Sequence, residues 1–468
     1  MDSGNDEYDL VVIGAGNAGQ QAAGVARAAG WRVAIVEARD VGGTCPLRGC
    51  VPKKVLAAAG EAADLIRRAG GLSIHVGPAT LDWTALIARE RTFVDGVSAA
   101  MKADLVGQGI DVVEGRARFV ARDAVAVERR AQLLRARHFV VASGSTPRPL
   151  DFPGADGLLT SDDLLELRAL PASVAFVGAG VIAFELAHVM ARAGARVTLL
   201  ESGPRALPGA DADAVAWLVK ATEARGIDVR VGVKVQSVAA GGSSGSGGAT
   251  GTVEAVGAHV VRFVEGGEAR SLRGAAVAHG AGRISDLGRL DLAAAGVTVE
   301  GEDPVLDEAH RSRSNPQIWF AGDAVPGKPQ LSALATYEGR LVGRNLVRGQ
   351  SVAPDYASIP SVVFATPALA SVGPTEEQAR ARGLSFETRV NDMRTWRSAC
   401  SYAEEVAWAK VLVDRSADRV LAAHLVGHGA AETINAFALA IRHGISVTDL
   451  KEGVFAYPTF HSDLKFLL

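Results

Sequence analysis

Aromatic residues make up only 5% of this 468-residue chain, and there are just three cysteines. Three cysteines cannot build the disulfide framework of a small secreted domain. Cys45 and Cys50 lie five positions apart and Cys400 is remote, so the close pair reads as catalytic or metal-binding. No second Cys/His pair follows at zinc spacing, which tells against a metal site. No basic stretch stands out and the net charge is -3, which favours neither nucleic acid nor an anionic membrane as partner. No apolar run approaches the roughly 20 residues of a membrane span. The acidic, polar start, Met1 to Glu7, lacks the basic and apolar regions of a signal peptide. The expectation is a soluble cytoplasmic protein.

What is abundant is glycine, at 53 residues, much of it in loop patterns. The length suggests two to four domains. Residues 9–14 read as a short buried strand ending in a glycine turn, 17–29 as an Ala-rich helix and 33–37 as the next strand. This β-α-β unit recurs with a strand at 173–178, a helix to residue 193 and a strand at 196–201. Two such units imply two nucleotide sites. Between them, 110–127 read as short strands and turns and 139–144 as a buried strand. Residues 239–251 have linker composition but strand-like flanks, so they read as a long hairpin loop. Beyond about residue 352, strands followed by helices near 430–443 and 447–452 read as a separate α+β domain.

The first unit carries Gly14-Ala-Gly16-Asn-Ala-Gly19 between strand and helix. Its glycines permit a tight turn, close approach of the backbone to a pyrophosphate and helix–strand packing. The helix N-terminus then faces the phosphate charge. Glu37 ends the second strand, where a carboxylate can accept ribose hydroxyls. Gly178-Ala-Gly180-Val-Ile-Ala183 repeats the loop and Glu201 repeats the acid. An acid there argues for NADH over NADPH, whereas Arg205 nearby could pair with a 2′-phosphate. The most informative stretch is Gly42-Gly43-Thr44-Cys45-Pro46-Leu47-Arg48-Gly49-Cys50-Val51-Pro52-Lys53-Lys54. On an ideal helix, residues five apart differ by about 140°, yet a disulfide needs Cα atoms within about 7 Å. The segment must therefore be distorted, and Pro46 and Pro52 discourage a regular helix.

The Cys-x4-Cys signature, both nucleotide loops and Ala321-Gly322-Asp323 together resemble the pyridine nucleotide–disulfide oxidoreductases, in order and over nearly the whole chain. The resemblance implies an α/β fold with two Rossmann-like domains, for FAD and NAD(P), and a C-terminal α+β dimerisation domain. The boundaries expected are 1–148 (FAD, first part), 149–275 (NAD(P)), 276–350 (FAD or central, second part) and 351–468 (dimerisation). It implies Cys50 as the thiol against the flavin and Cys45 as the exchange thiol that meets substrate. Lys53 matches the lysine near the flavin and Glu185 its ion-pair partner. Outside the family match, a surface lysine and a solvated helix acid would be the plainer reading. Gly43, Thr44, the Ala142-Ser143-Gly144 turn and Asp323 would line the FAD site, with Gly322 in the turn before the aspartate. A homodimer is implied, because family active sites join the cysteine pair to the C-terminal motif of the other subunit.

At that C-terminal motif the chain departs from the family. Tyr457-Pro-Thr-Phe-His461-Ser-Asp463 stands where His-Pro-Thr-x-x-Glu is usual, with tyrosine for the histidine and Ser462 for the glutamate. Tyrosine, with an ordinary pKa near 10, is a poor base at neutral pH. Mercuric reductases also carry a tyrosine here, but with a C-terminal cysteine pair, and this chain ends Lys-Phe-Leu-Leu. His461 is a relocated acid/base candidate, although a helix starting near Thr459 would turn His461 and Asp463 to solvent. Arg48 is another candidate, since a cation beside a thiol lowers its pKa. Cys400 reads as a buried or incidental thiol. The leading expectation is an FAD-dependent NAD(P)H reductase of a small disulfide through Cys45 and Cys50. Alternatives are dihydrolipoamide dehydrogenase, reduction of another acceptor such as Hg(II) or a quinone, and a flavin-binding sensor with little turnover.

Overall fold

The computed structural model describes residues 7–77, 79–240, 259–427 and 429–468. The chain divides into two compact units. The first comprises the chain through Pro52, Glu90–Arg148 and Arg283–Asp355. Its sheet has a parallel core in which the strand Glu7–Ile13 pairs with Val33–Glu37 on one side and Leu134–Val141 on the other. Asp111–Glu114 extends one edge and Ile318–Phe320 pairs with Leu134–Val141, all parallel. The antiparallel strands Ala117–Ala121 and Ala124–Val127 complete the sheet.

The central strands are apolar throughout because both sheet faces are covered. Val11, Ile13, Ala34, Val36, Phe139 and Val141 enter one core cluster. Their alternates Leu10, Val12, Val33, Ile35 and Val140 enter another, with the helices Asn17–Ala28 and Ser332–Arg348. The strand order reverses about Glu7–Ile13, so Gly14 stands at the topological switch point where open α/β sheets bind ligands.

Those two helices run side by side in the same direction. A Cβ at Gly339 would stand 2.1 Å from the Ala18 carbonyl oxygen, and one at Gly343 would stand 3.1 Å from that of Ala22. The glycines are what permit this approach. One result is that the first residues of both helices, Asn17 and Ser332, lie together.

The second unit comprises Lys53–Arg89, Pro149–Gly282 and Tyr356–Leu468. Its parallel sheet orders Asp228–Arg230, Arg196–Leu200, Ser173–Val177 and Ala276–His279. Val174 and Phe176 face one core, Ala175 and Val177 another. Gly178 thus repeats the position of Gly14. The strands Val233–Ala240 and His259–Glu265 pair antiparallel as a hairpin requires. The expected loop between them falls largely within residues 241–258, outside the described residues.

The C-terminal part is a five-stranded antiparallel sheet. Alternate residues Ala409, Val411 and Val413 of its strand Ala407–Asp414 pack with Ile434 and Phe437 of the helix Ala430–His443. Among the described residues no helix is long and apolar enough to cross a membrane.

Candidate active site

The first glycine loop is built for a diphosphate. Gly14 has φ +106°, and a Cβ there would stand 2.2 Å from the Ala142 carbonyl oxygen. Gly16 precedes the Asn17–Ala28 helix, whose first N–H groups receive no side-chain cap. They remain available as donors to an anion. Gly43, at φ +69°, backs onto Gly16, and a Cβ on it would lie 2.7 Å from the Gly16 Cα. A Cβ on Gly19 would meet the Gly14 carbonyl oxygen at 1.9 Å, so glycine is what lets the helix pack against the loop at this point.

The Glu37 carboxylate accepts the Ala15 N–H at 2.7 Å and the Arg39 N–H at 2.8 Å, one on each oxygen. Each oxygen keeps a second lone pair for a hydroxyl. The turn after Leu134–Val141 holds Ser143, whose buried hydroxyl has no protein partner, and Gly144 at φ +78°. Asp323 accepts the Ser145 hydroxyl at 2.9 Å, and Ser145 in turn accepts Arg283 Nε at 3.0 Å. Burial pushes the Asp323 carboxyl above its ordinary range, against the Ser145 bond and the Arg283 charge. A glycine cradle, a poised carboxylate and an unpartnered buried hydroxyl suit the polar backbone of FAD.

The second loop repeats this geometry. Gly178 has φ +98° and Gly180 has φ -80° and ψ -177°, against -80° and -172° at Gly16. Glu201 accepts the Ala179 N–H at 2.9 Å and the Gly203 N–H at 2.8 Å. Arg205 is spent elsewhere: it donates to the carbonyls of Ala210 and Pro208 and pairs with Glu377 at 2.9 Å.

The cysteine segment is distorted, as expected, but at Gly49 and not at the prolines. It is helical from Thr44 to Arg48 and again from Cys50 to Arg68, with one break at Gly49, φ -147° and ψ -109°. Pro46 and Pro52 are each the third residue of their helix. In the first turn the missing N–H has no intrahelical acceptor, so proline is tolerated. The distortion that brings the sulfurs together comes from Gly49. A Cβ there would stand 3.0 Å from the Thr44 carbonyl oxygen.

Both cysteines are thiols, Cys45 half-buried and Cys50 exposed. Cys50 opens a 19-residue helix, and its sulfur shares a hydrogen bond with Cys45. That bond is the largest influence on Cys45, whose pKa is lowered to about 6 against the opposing effect of burial. Bonds from Ser332 and Asn17 add to it. The Arg48 guanidinium pairs with Asp40 at 2.7 Å. Thr44, at the start of the first short helix, is exposed.

Lys53 and Glu185 are neither surface lysine nor solvated acid. They form an ion pair at 2.8 Å, with side chains 16% and 7% exposed. Glu185 Oε1 also accepts the Phe364 N–H at 2.9 Å, and the Lys53 ammonium lies 4.0 Å from the Phe364 ring centre. Phe364 was absent from the sequence reading. It lies 179 residues from Glu185 in the chain, and no local pattern marks it.

Tyr457 is 65% exposed. Thr459 caps the 3-10 helix Phe460–Asp463 through a reciprocal box with Ser462, so Ser462 serves as a cap. His461 is half-buried in that helix. Asp463, expected at the surface, is buried and accepts the Ser398 hydroxyl, because the short helix turns it inward. Cys400 is exposed rather than buried and donates to the Arg394 carbonyl.

Two dinucleotide loops and a thiolate-prone cysteine pair define a nucleotide-dependent dithiol oxidoreductase. Residues 8–339 match the family described as pyridine nucleotide-disulphide oxidoreductase, and residues 359–466 match its dimerisation domain. The chain belongs to this family. It is 31% identical over 453 residues to a glutathione reductase of Burkholderia cepacia, covering 97% of this chain and 96% of the relative. A mercuric reductase of Bacillus cereus is 30% identical over 467 residues, covering 99% of this chain and 71% of the relative. Among solved structures, a Cu(II) complex of the HOCl-induced flavoprotein disulfide reductase RclA from Escherichia coli superposes with TM-score 0.84 at 25% identity, over 100% of this chain and 99% of that one. The protein is a flavoprotein disulfide reductase using FAD and a pyridine nucleotide.

Proposed function

We propose that Cys45 is the exchange thiol and Cys50 the thiol beside the flavin, and that the electrons leave to a small disulfide. The observation that carries this is the hydrogen-bonded Cys45–Cys50 pair, with Cys45 lowered to about 6. A thiolate is the attacking species in thiol–disulfide exchange, and a pKa near ambient pH suits it. Bound FAD supplies a two-electron carrier between a nicotinamide and this dithiol. Gly14, Gly16, Gly19, Gly43, Thr44, Glu37, Ser143, Gly144, Gly322 and Asp323 hold it. Lys53, one helical turn after Cys50, is fixed by Glu185 and Phe364, so its charge is presented in one place.

Gly178, Gly180 and Glu201 hold the nicotinamide nucleotide. NADH is preferred, because Glu201 repels a 2′-phosphate and Arg205 is committed to Glu377 and two carbonyls. The chain works as a homodimer in the cytoplasm, with Tyr457 and His461 of the C-terminal motif serving the partner's dithiol.

Anaerobic titration with NADH and NADPH tests the first half. Bleaching of the flavin by NADH at lower concentration is expected, with a long-wavelength charge-transfer band that vanishes in Cys50→Ser. Cys45→Ser should keep the bleaching and lose disulfide turnover. Full turnover in either variant would overturn the proposal.

A second reading, a soft metal ion as acceptor, is favoured by the exposed Tyr457 where a histidine base is usual. Steady-state assays with oxidised glutathione, lipoamide, Hg(II), Cu(II) and a quinone separate the two.

A further inference from the structure

The usual histidine is missing, yet Cys45 is held ready to ionise, so other groups must stabilise its anion. We propose that Ser332, oriented by Asn17, is a catalytic residue that holds Cys45 as a thiolate in place of that histidine. The inference rests on the reading of Cys45 as the exchange thiol.

The geometry is directional. Asn17 Nδ2 donates to Ser332 Oγ at 2.6 Å, and Ser332 Oγ donates to Cys45 Sγ at 3.0 Å. A hydroxyl has one proton. With a lone pair of Ser332 taken by the Asn17 amide, that proton is left aimed at the sulfur. Asn17 and the Cys50 thiol also bond to Cys45. These protein donors are neutral, and the neighbouring cation, Arg48, is turned to Asp40. Neutral hydrogen-bond donors thus take a direct part in stabilising the anion.

Position explains why these two residues can do it. Each is the first residue of a helix, of 12 residues for Asn17 and 17 for Ser332. The partial positive ends of both helices therefore point to the same place. The close, parallel packing through Gly339 and Gly343 keeps them together. With Cys45 lowered to about 6, most of it is thiolate at neutral pH without any base to take its proton. A histidine would carry out that deprotonation by titrating. Here the proton goes to solvent, and fixed donors that do not titrate in the same range stabilise the anion left behind.

The test is the pH dependence of alkylation at Cys45. The reduced holoenzyme, in a Cys400→Ser background, is treated with iodoacetamide and the Cys45 adduct is followed by mass spectrometry. The wild-type midpoint should fall near 6. Loss of one hydrogen bond to an anion in Ser332→Ala should raise it by about one unit, slowing alkylation about tenfold below the midpoint. Ser332→Thr, which keeps the hydroxyl, should restore it. Asn17→Ala should raise it as well, and serves alone if Ser332→Ala cannot retain its flavin. An unchanged midpoint in a flavin-retaining Ser332→Ala, or in Asn17→Ala where that variant must stand alone, overturns the proposal. A shifted midpoint together with full disulfide turnover in Cys45→Ser would instead overturn the exchange-thiol reading and leave the hydrogen-bond assignment standing.

Discussion

Replacing Glu185 tests the group that fixes Lys53. In Glu185→Ala, the Phe364 N–H loses its acceptor, which costs about 1–3 kcal/mol where such a group is left unsatisfied. The Lys53 ammonium loses its carboxylate at a side chain only 16% exposed. Breaking a buried pair from one side costs about 3–5 kcal/mol. Two features pull that down: partial exposure, and the Phe364 ring 4.0 Å from the ammonium, a contact of about 0.5–2 kcal/mol. Alanine also returns about 0.4 kcal/mol of helix propensity. The expected net loss is about 2–4 kcal/mol. Glu185→Gln keeps an acceptor for both donors and should lose only about 1 kcal/mol. The assay is urea unfolding of the holoenzyme, followed by flavin release and near-ultraviolet circular dichroism. The functional readout is the rate of flavin bleaching by NADH, which should fall in both variants. Equal stability of Glu185→Ala and wild type, or of the two variants, would refute the reasoning.

Gly339→Ala sets about 1 kcal/mol of helix propensity against a Cβ placed 2.1 Å from the Ala18 carbonyl oxygen. The obstacle is backbone, so overpacking of about 1–3 kcal/mol at its upper end should win. A lowered urea midpoint and a raised Cys45 alkylation midpoint are expected together; a stabilised variant would contradict the packing argument. Glu404 is raised to about 7 by burial, despite Arg68 beside it and with Asp64 and Glu405 adding to the rise. A carboxyl raised in the folded state favours folding below its ordinary value of 4.5 and loses that contribution as pH rises through about 7. Glu404→Gln should therefore flatten the decline in stability over that window, and an unchanged slope from thermal melts across pH would count against it.

Much of the frame was legible because it is written locally. Apolar runs bounded by glycine marked Glu7–Ile13 and Ser173–Val177, and the helices Ala430–His443 and Val447–Glu452 were read within a residue. Fully buried strands with loops at a switch point leave a pattern in consecutive residues. The distortion of the cysteine segment was legible but its seat was not, because proline was treated as a helix breaker, whereas its place in the first turn makes it neutral. Arg48 is close to the thiols in sequence, and its guanidinium pairs with Asp40. The groups that do act on the thiol come from far away: Ser332 is 287 residues from Cys45, and Asn17 is 315 from Ser332. Such neighbours are set by helix packing and have no signature in a short window. Asp463 shows the same thing, since the hydroxyl it accepts belongs to Ser398, 65 residues earlier.

The near-identity of the two glycine loops limits what either can choose. With φ +106° and +98° at their first glycines and matching caps at Gly16 and Gly180, both offer the same backbone donors and the same strand-end carboxylate. Under the proposed assignment, the choice between a flavin and a nicotinamide nucleotide falls to residues beyond the glycines. Redesigning nucleotide choice in this scaffold would leave the glycines alone and work at those residues.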